Sequence, residues 1–417
     1  MTNLYSDPAL FPDEEAPRPL ETRYAGRSRR VQSLFGEITL TRSYYHHRPS
    51  GTGRCPLDEK LQLECGCTPS VARLMCRAAS QSPSYEEAAL DLSVYAGLDL
   101  DPRDLGRLVA ALAPGLGEAL ASLRPSPAPA GTPAIIPVLY ASTDGTGVPM
   151  RSEALIGRPG KQEDGTSRTR EAKLGCVFTQ TSTDENGQPL RDPDSTSYVG
   201  TFQGCREIGI LLHQEATRRG LGRAATVVYL GDGAAWVWEN CRLTFPGAVE
   251  ILDFFHASEH VGLLAKALHD GDPEQALSKQ TQWCHEIKAT SPAVLLTEVR
   301  TLLIAHPEWP ETKRTAIQAQ VDYLQSHATR TRYGEYQAKG YFIGSGVIEA
   351  GCKTVVGRRL KQSGMFWSET GAEDILSLRC LSIGPHFESA WSARRTLLAA
   401  ARVKARRWSP QENQRAA

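Results

Sequence analysis

The sequence contains no apolar run approaching the roughly 18 residues that a membrane-spanning helix needs, so no membrane span is expected. Residues 1–15 carry acids and prolines where a secretory leader would have a basic end and an apolar stretch, and no leader is expected there. Net charge is lacking too: 47 Lys and Arg are balanced by 47 Asp and Glu. Neutrality excludes a uniformly polycationic chain. It does not exclude a nucleic-acid binder, because only the face that meets phosphate must be basic. The cysteines, ten in all, are scattered rather than packed into a short frame, which fits reduced thiols in a cytoplasmic protein. Paired Cys-x-x-Cys knuckles are missing. Cys65-Gly-Cys67, even with His46, His47 and Cys55, falls short of a zinc ribbon. Internal repeats are absent as well.

What is present is ordinary globular material, 41% hydrophobic and 23% charged, in 417 residues. At about 150 residues per domain, two or three domains are expected. Residues 1–30 read as a polar lead. The alternating stretch Val31–Tyr45, with Gly36 at a turn, predicts a short hairpin. Helical spacing follows from Ser70. Ser84 with Glu87 is a capping-box spacing, and a third helix is predicted after Asp101-Pro102, with Gly97 turning between the last two. Three such helices suit either a helix-turn-helix or a plain bundle. A Pro/Ala-rich linker occupies 124–134.

Beyond the linker, Ile135–Thr143 reads as a buried strand ending at Asp144. Further strands are predicted near Val148, over Ala172–Thr181, over Ala225–Leu230 ending at Asp232, and over Val249–Leu252 ending at Asp253. Residues 258–335 are helical throughout, residues 345–363 form one more helix, and a basic helical tail closes the chain. Strands first, then alternating strand and helix, indicate an α/β sheet covered on both faces, with an all-α insertion.

Asp144 stands in Ser-Thr-Asp-Gly-Thr-Gly and Asp232 in Leu-Gly-Asp-Gly-Ala, each after an apolar strand and beside glycines that leave room for a ligand. Carboxyl ends of neighbouring strands are where ligands collect in open α/β sheets. Glu349, in Gly-Ser-Gly-Val-Ile-Glu, opens a helix. Singly, an Asp-Gly is a turn and a first-turn Glu serves the helix dipole. Together, three acids in this setting form a candidate site for hard divalent cations, of the kind that cleaves phosphodiesters with two ions roughly 3.5–4 Å apart. A serine hydrolase centred on Ser345 is set aside, because Gly-x-Ser-x-Gly is missing there.

Four segments, Ser142–Gly147, Leu230–Trp236, Leu252–His260 and Gly344–Gly364 followed by Met365-Phe-Trp367, resemble the DDE transposases of bacterial insertion sequences. The resemblance is to the ISKra type and, more distantly, to the Mutator-like group. It covers roughly 135–385 well and the N-terminal region more loosely. It implies an RNase H-like core, divided as 135–257 and 336–385 around the helical insertion 258–335. Before the core come the linker and a small, mostly helical DNA-binding region, 1–123; after it comes a basic tail, 386–417. The resemblance also implies that Asp144, Asp232 and Glu349 form the catalytic triad with two Mg²⁺ (or Mn²⁺) ions. The activity implied is cutting at element ends and joining of the 3′-hydroxyl to target DNA. The partners implied are terminal inverted repeats and target DNA, with a homo-oligomer on DNA. An RNase H-like nuclease without strand transfer and a non-catalytic DNA binder are the alternatives.

Asp253 and His256 match the Asp-x-x-His element of the Mutator-like relatives and are expected near the site; a capping Asp with a satisfied His is the plainer alternative. His256 with His260, one turn apart, also has the spacing of half a zinc site. Arg358, Arg359 and Lys361, on the Glu349 helix, are candidates for sequence-independent phosphate contact, against a solvated helix face. Lys161, Arg168, Arg170 and Lys173 suggest a basic hairpin over 158–173 that orders on DNA. For Trp236, Trp238 and Trp367 a core position is expected before a base-stacking one.

Overall fold

A computed structural model of the chain describes residues 16–123, 135–157 and 167–407, with side chains to residue 400. The linker segment and Lys161 lie outside the described residues. The chain divides into two compact units, Met1–Ala119 with Ala390–Ala417, and Leu120–Ser389.

The first unit opens with a three-stranded antiparallel sheet, β1 (Glu21–Ser33), β2 (Gly36–His47) and β3 (Thr52–Arg54), in the order β1-β2-β3. The polar lead expected up to residue 30 is therefore corrected from Glu21 onward. Residues Arg23–Ser28 are exposed, so no apolar alternation marks this half of the strand, and pairing with β2 alone makes it extended. Val31, Leu40 and Leu63 form the small core beneath the sheet. After α1 (Pro56–Lys60) come α2 (Pro69–Gln81), α3 (Tyr85–Ala96), α4 (Pro102–Leu112) and α5 (Leu116–Ser122). Ser84 Oγ accepts the Glu87 amide at 3.0 Å, the bond that the capping-box spacing predicts. Gly97 closes α3 in the left-handed region and Asp101 caps α4.

The second unit is a mixed α/β layer. Its strands are β4 (Ile136–Pro149), β5 (Thr169–Gln180), the small pair β6 (Ser182–Thr183) and β7 (Pro189–Leu190), and β8 (Ser197–Thr201). Then come α6 (Cys205–Arg218), β9 (Ala224–Gly231), α7 (Ala235–Thr244) and β10 (Val249–Leu252). The five-stranded sheet runs β10-β9-β4-β5-β8. β5 is antiparallel to both β4 and β8, whereas β9 and β10 run parallel to β4. The separate strand expected near Val148 is instead the far half of β4. β4 passes through Asp144 without a break because β5 pairs with it along its whole length, Val138 with Gln180 to Pro149 with Thr169. β8 was not anticipated; five residues ending in Gly-Thr carry little pattern.

Helices α8 (Phe254–Leu268), α9 (Pro273–Ala289), α10 (Ala293–Ala305), α11 (Glu311–Ser326) and α12 (Tyr333–Ala338) follow β10. They pack around Trp283, Val299, Ile317 and Leu324. α13 (Gly346–Gly351) comes next. The single helix expected over 345–363 is corrected: Cys352–Gly357 is a π-helical turn before α14 (Arg358–Leu360). The wide turn is held by Arg379, 2% exposed on α15 (Glu369–Ile383), which donates to the carbonyls of Val355, at 3.0 Å, and Thr354. Burial pulls the Arg379 guanidinium down to about 10. α16 (Phe387–Arg407) is the last described element, and its Arg394 is buried in the first unit against Glu64, at 2.9 Å, rather than exposed in a basic tail. Among the described residues no helix is long and apolar enough to cross a membrane.

Candidate active site

The parallel pairing of β4 with β9 aligns Ser142 with Leu230, and that of β9 with β10 aligns Gly231 with Leu252. Two residues beyond Ser142 lies Asp144; two beyond Leu230 lies Asp232; one beyond Leu252 lies Asp253. Register alone thus sets three carboxylates side by side, Asp232 and Asp253 just past the carboxyl ends of β9 and β10 and Asp144 within the neighbouring β4. Asp144 and Asp232 are half-buried and Asp253 is fully buried.

Asp144 Oδ1 accepts from the Gly145 amide at 2.6 Å, and Oδ2 from the Cys352 thiol at 3.3 Å. Burial raises the Asp144 pKa, and the charge of Asp232 adds to the rise. Burial, with Asp144 beside it, also keeps Cys352 protonated and donating. Asp232 Oδ1 accepts from the Ala234 amide at 3.0 Å. Its own carbonyl takes the Tyr323 hydroxyl at 3.1 Å, so α11 braces the loop after β9.

Asp253 does something different. Its Oδ1 accepts from the amides of Phe255 and His256, capping α8, and its Oδ2 accepts from the Ser345 amide. Burial pushes its pKa up, but the side chains of His256 and Ser345, with the amides of those two residues, hold it below the usual carboxylate value. His256 Nδ1 lies 3.7 Å from Asp253 Oδ1, an ion-pair separation longer than a hydrogen bond, and this buried nitrogen has no hydrogen-bond partner among the described residues. Asp253 above all, with Asp232 further off, raises His256 to about 9, so the imidazole is charged at neutral pH. His260 points elsewhere, bonded to Gln320 at 2.7 Å and stacked on Tyr323 at 3.4 Å between centroids.

Glu349 reaches the same region by its chain path. The incoming segment is pinned at Phe342 N to the Tyr140 hydroxyl (3.2 Å), at Ile343 O by Phe254 N (2.9 Å) and at Ser345 N by Asp253. α13 then packs on β4 and β5. Ser345 is the residue before the helix, and its hydroxyl donates to Glu349 Oε1 at 3.1 Å. Cys352, one turn on from Glu349, is the residue that touches Asp144. The three acids nevertheless do not converge on one point: among the described residues no group of three His, Cys, Asp or Glu side chains stands close enough to hold one metal ion. Glu349 is tied back to Ser345 instead.

The basic candidates divide. Arg359 is 1% exposed and lies over Trp367 at 5.1 Å, with Nη1 3.8 Å from Met365 Sδ; Arg170 is 6% exposed, paired with Glu369 and bonded to Phe202 O at 3.1 Å. Neither faces phosphate, because each guanidinium is enclosed by the packing of α15 or its flanks. Arg168, Arg358 and Lys361 are exposed, and Lys361 Nζ donates to Thr146 Oγ1 at 2.6 Å, beside Asp144. Trp367 and Trp238 are interior, the first donating to Leu360 O at 3.1 Å; Trp236 is half-buried under Lys173 Nζ at 4.5 Å. Sequence reasoning misses Cys352 altogether and weighs Ser345 only as a nucleophile, since a thiol or hydroxyl near a helix start signals no contact until the helix is placed.

No protein-family model and no curated protein matches this sequence. Among solved structures, the chain is similar to one titled Drosophila P element transposase strand transfer complex, at 8% identity over 77% of this chain and 80% of that chain, with a TM-score of 0.28. A likeness that slight decides neither fold family nor activity.

Proposed function

We propose that the chain is a DDE transposase of the ISKra type, cutting DNA at element ends and joining the freed 3′-hydroxyl to target DNA. The observation that carries the reading is the paired register of Asp144 and Asp232 on adjacent parallel strands, with the charge of one raising the pKa of the other. Two carboxylates held together in partial burial are a site that gains from a bound cation. The strand order, with a three-stranded antiparallel part continued by two parallel strands, supports an RNase H-like core, and α8–α12 correspond to the proposed insertion.

Asp144, Asp232 and Glu349 offer hard oxygen donors, which suit Mg²⁺ or Mn²⁺. Asp144 and Asp232 stand together, and Glu349, whose carboxylate now accepts the Ser345 hydroxyl, would be the third residue to hold the ions. Bound there, a pair of divalent ions supplies an activated water or hydroxyl and stabilises the leaving oxygen. The protein's own groups do the rest. Protonated His256 presents positive charge beside the carboxylates, where a phosphate would lie. Lys361, with Arg358 and Arg168, supplies exposed charge for DNA backbone contact. The proposed partners are terminal inverted repeats and target DNA, with the chain acting as a DNA-bound oligomer in a bacterial cytoplasm.

The test uses purified protein, Mg²⁺ and a DNA end pre-cut at the inverted repeat bordering the reading frame. Asp144→Ala, Asp232→Ala and Glu349→Ala should each reduce strand joining at least about a hundredfold, a loss of the size seen when a key electrostatic group is removed. DNA binding should remain. Mn²⁺ titration followed by electron paramagnetic resonance should show weakened binding in all three. Full joining activity in any one variant removes that residue from the site, and nicking without joining in the wild type defeats the transposase reading.

A further inference from the structure

The three-stranded sheet of the first unit carries an open groove at one end. Ile38, Leu40, Arg42, Tyr44 and His46 alternate onto one face of β2. Toward the turn this face is closed, with Ile38 and Leu40 packed on Val31 and Leu63. Toward the other end it is open. There Tyr24, Arg27, Ser28, Arg42, Tyr44 and His46 line a groove of about 540 Å³, within the roughly 300–1,000 Å³ range of ligand clefts.

The lining is aromatic and basic, with no carboxylate among the described residues that form it. Tyr24 stands directly opposite Tyr44 in the ladder, their ring centroids 6.2 Å apart, and His46 continues the row at 6.4 Å from Tyr44 with nearly parallel planes. A bulge between Tyr24 and Arg27 carries the Arg27 guanidinium to 5.4 Å above the Tyr24 ring. Tyr44 lies flat across β3: a Cβ on Gly53 would stand 1.9 Å from its hydroxyl, so only glycine lets the ring occupy that position. At the closed end one acid, Asp58, is shared by Arg29 and Arg42, each at 2.7 Å, which leaves positive charge in excess.

We propose that this groove binds single-stranded DNA, its unpaired bases stacking on Tyr24, Tyr44 and His46 and its phosphates meeting Arg27. Rows of aromatic rings on a sheet beside arginines take bases without regard to sequence, since every base has a flat face. A duplex hides those faces and offers only edges and phosphates to such a surface. The proposal stands apart from the carboxylate site and needs no metal.

The experiment is fluorescence anisotropy of a short labelled oligo(dT) strand with the full chain, in EDTA so that no cutting occurs. Tyr24→Leu, at an exposed ring, and Tyr44→Leu, which keeps bulk over Gly53, should each weaken binding roughly 5-fold to 100-fold. Tyr44→Phe should bind as the wild type. Arg27→Glu should weaken binding and flatten its salt dependence. Oligo(dT) binding in EDTA and metal-dependent strand joining are read in separate assays, so the groove assignment and the transposase reading fail separately. Wild-type affinity in both Leu variants, or competition by duplex as effective as by the single strand, overturns the assignment.

Discussion

Asp253→Asn removes a charge while leaving a side chain of nearly the same shape, and the structure says what each half of that change does. The carboxylate is completely buried and accepts three amides, from Phe255 and His256 through Oδ1 and from Ser345 through Oδ2. An asparagine keeps one carbonyl oxygen for the α8 cap but turns its amide group towards the Ser345 N–H, donor against donor. The loss is one charge-assisted bond, about 1.5–3 kcal/mol. Asp253→Ala loses the cap as well, adding about 1 kcal/mol. Chemical denaturation should therefore rank wild type above Asn above Ala. The second consequence is electrostatic. Without the carboxylate, His256 should fall from about 9 towards its ordinary 6.5, read from the imidazole proton shifts by NMR. The sign for stability follows: a raised histidine contributes below its unfolded pKa, and the contribution fades as pH rises to about 9. The stability gap between wild type and Asn should narrow over that interval. A His256 that still titrates near 9 in the Asn variant refutes the reasoning, because the charge held responsible would be gone.

Other positions give further tests. Glu215, fully buried, accepts from Arg218 at 2.9 Å and His386 at 2.7 Å; burial pushes its pKa up, but these partners outweigh burial and bring it to about 2. Its contribution should be whole above pH 4.5 and be lost as pH falls towards 2, and Glu215→Gln should cost about 3–5 kcal/mol by urea melts at neutral pH. Gly233 has φ +98°, and a Cβ there would stand 2.2 Å from the Tyr323 hydroxyl, so Gly233→Ala should destabilise by about 1–3 kcal/mol. Adding Tyr323→Phe should recover part of that loss, a non-additivity visible in a double-mutant cycle. Arg379→Leu leaves the carbonyls of Thr354 and Val355 without their buried donor and should cost about 2–4 kcal/mol in thermal or urea unfolding, with Glu349 less well placed.

Much of the layout was legible because buried strands announce themselves. Tyr140-Ala-Ser-Thr and Val227-Val-Tyr-Leu are unbroken by charge, and an acid with glycines after each marks where the run stops. The Asp253-x-x-His256 spacing was readable as a cap for the same local reason, and both Oδ1 bonds to α8 are present. The burial of Arg170 against Glu369 and of Arg359 against Trp367 was not legible, because an arginine looks the same in sequence whether it meets solvent or the interior. The first half of β1 is hard to read because Arg23–Ser28 are exposed and show no apolar alternation.

Sequence alone determined which acids follow apolar strands, which serine caps which helix, and that a long helical stretch separates Asp232 from Glu349. Those are properties of a few consecutive side chains and their local backbone. Only tertiary structure decided that β4, β9 and β10 lie side by side in matching register, that the wide turn after α13 is held by Arg379, and that Tyr24, Tyr44 and His46 share an open groove. Such facts depend on pairings between segments tens to hundreds of residues apart, and no local pattern encodes which distant partner each segment will meet.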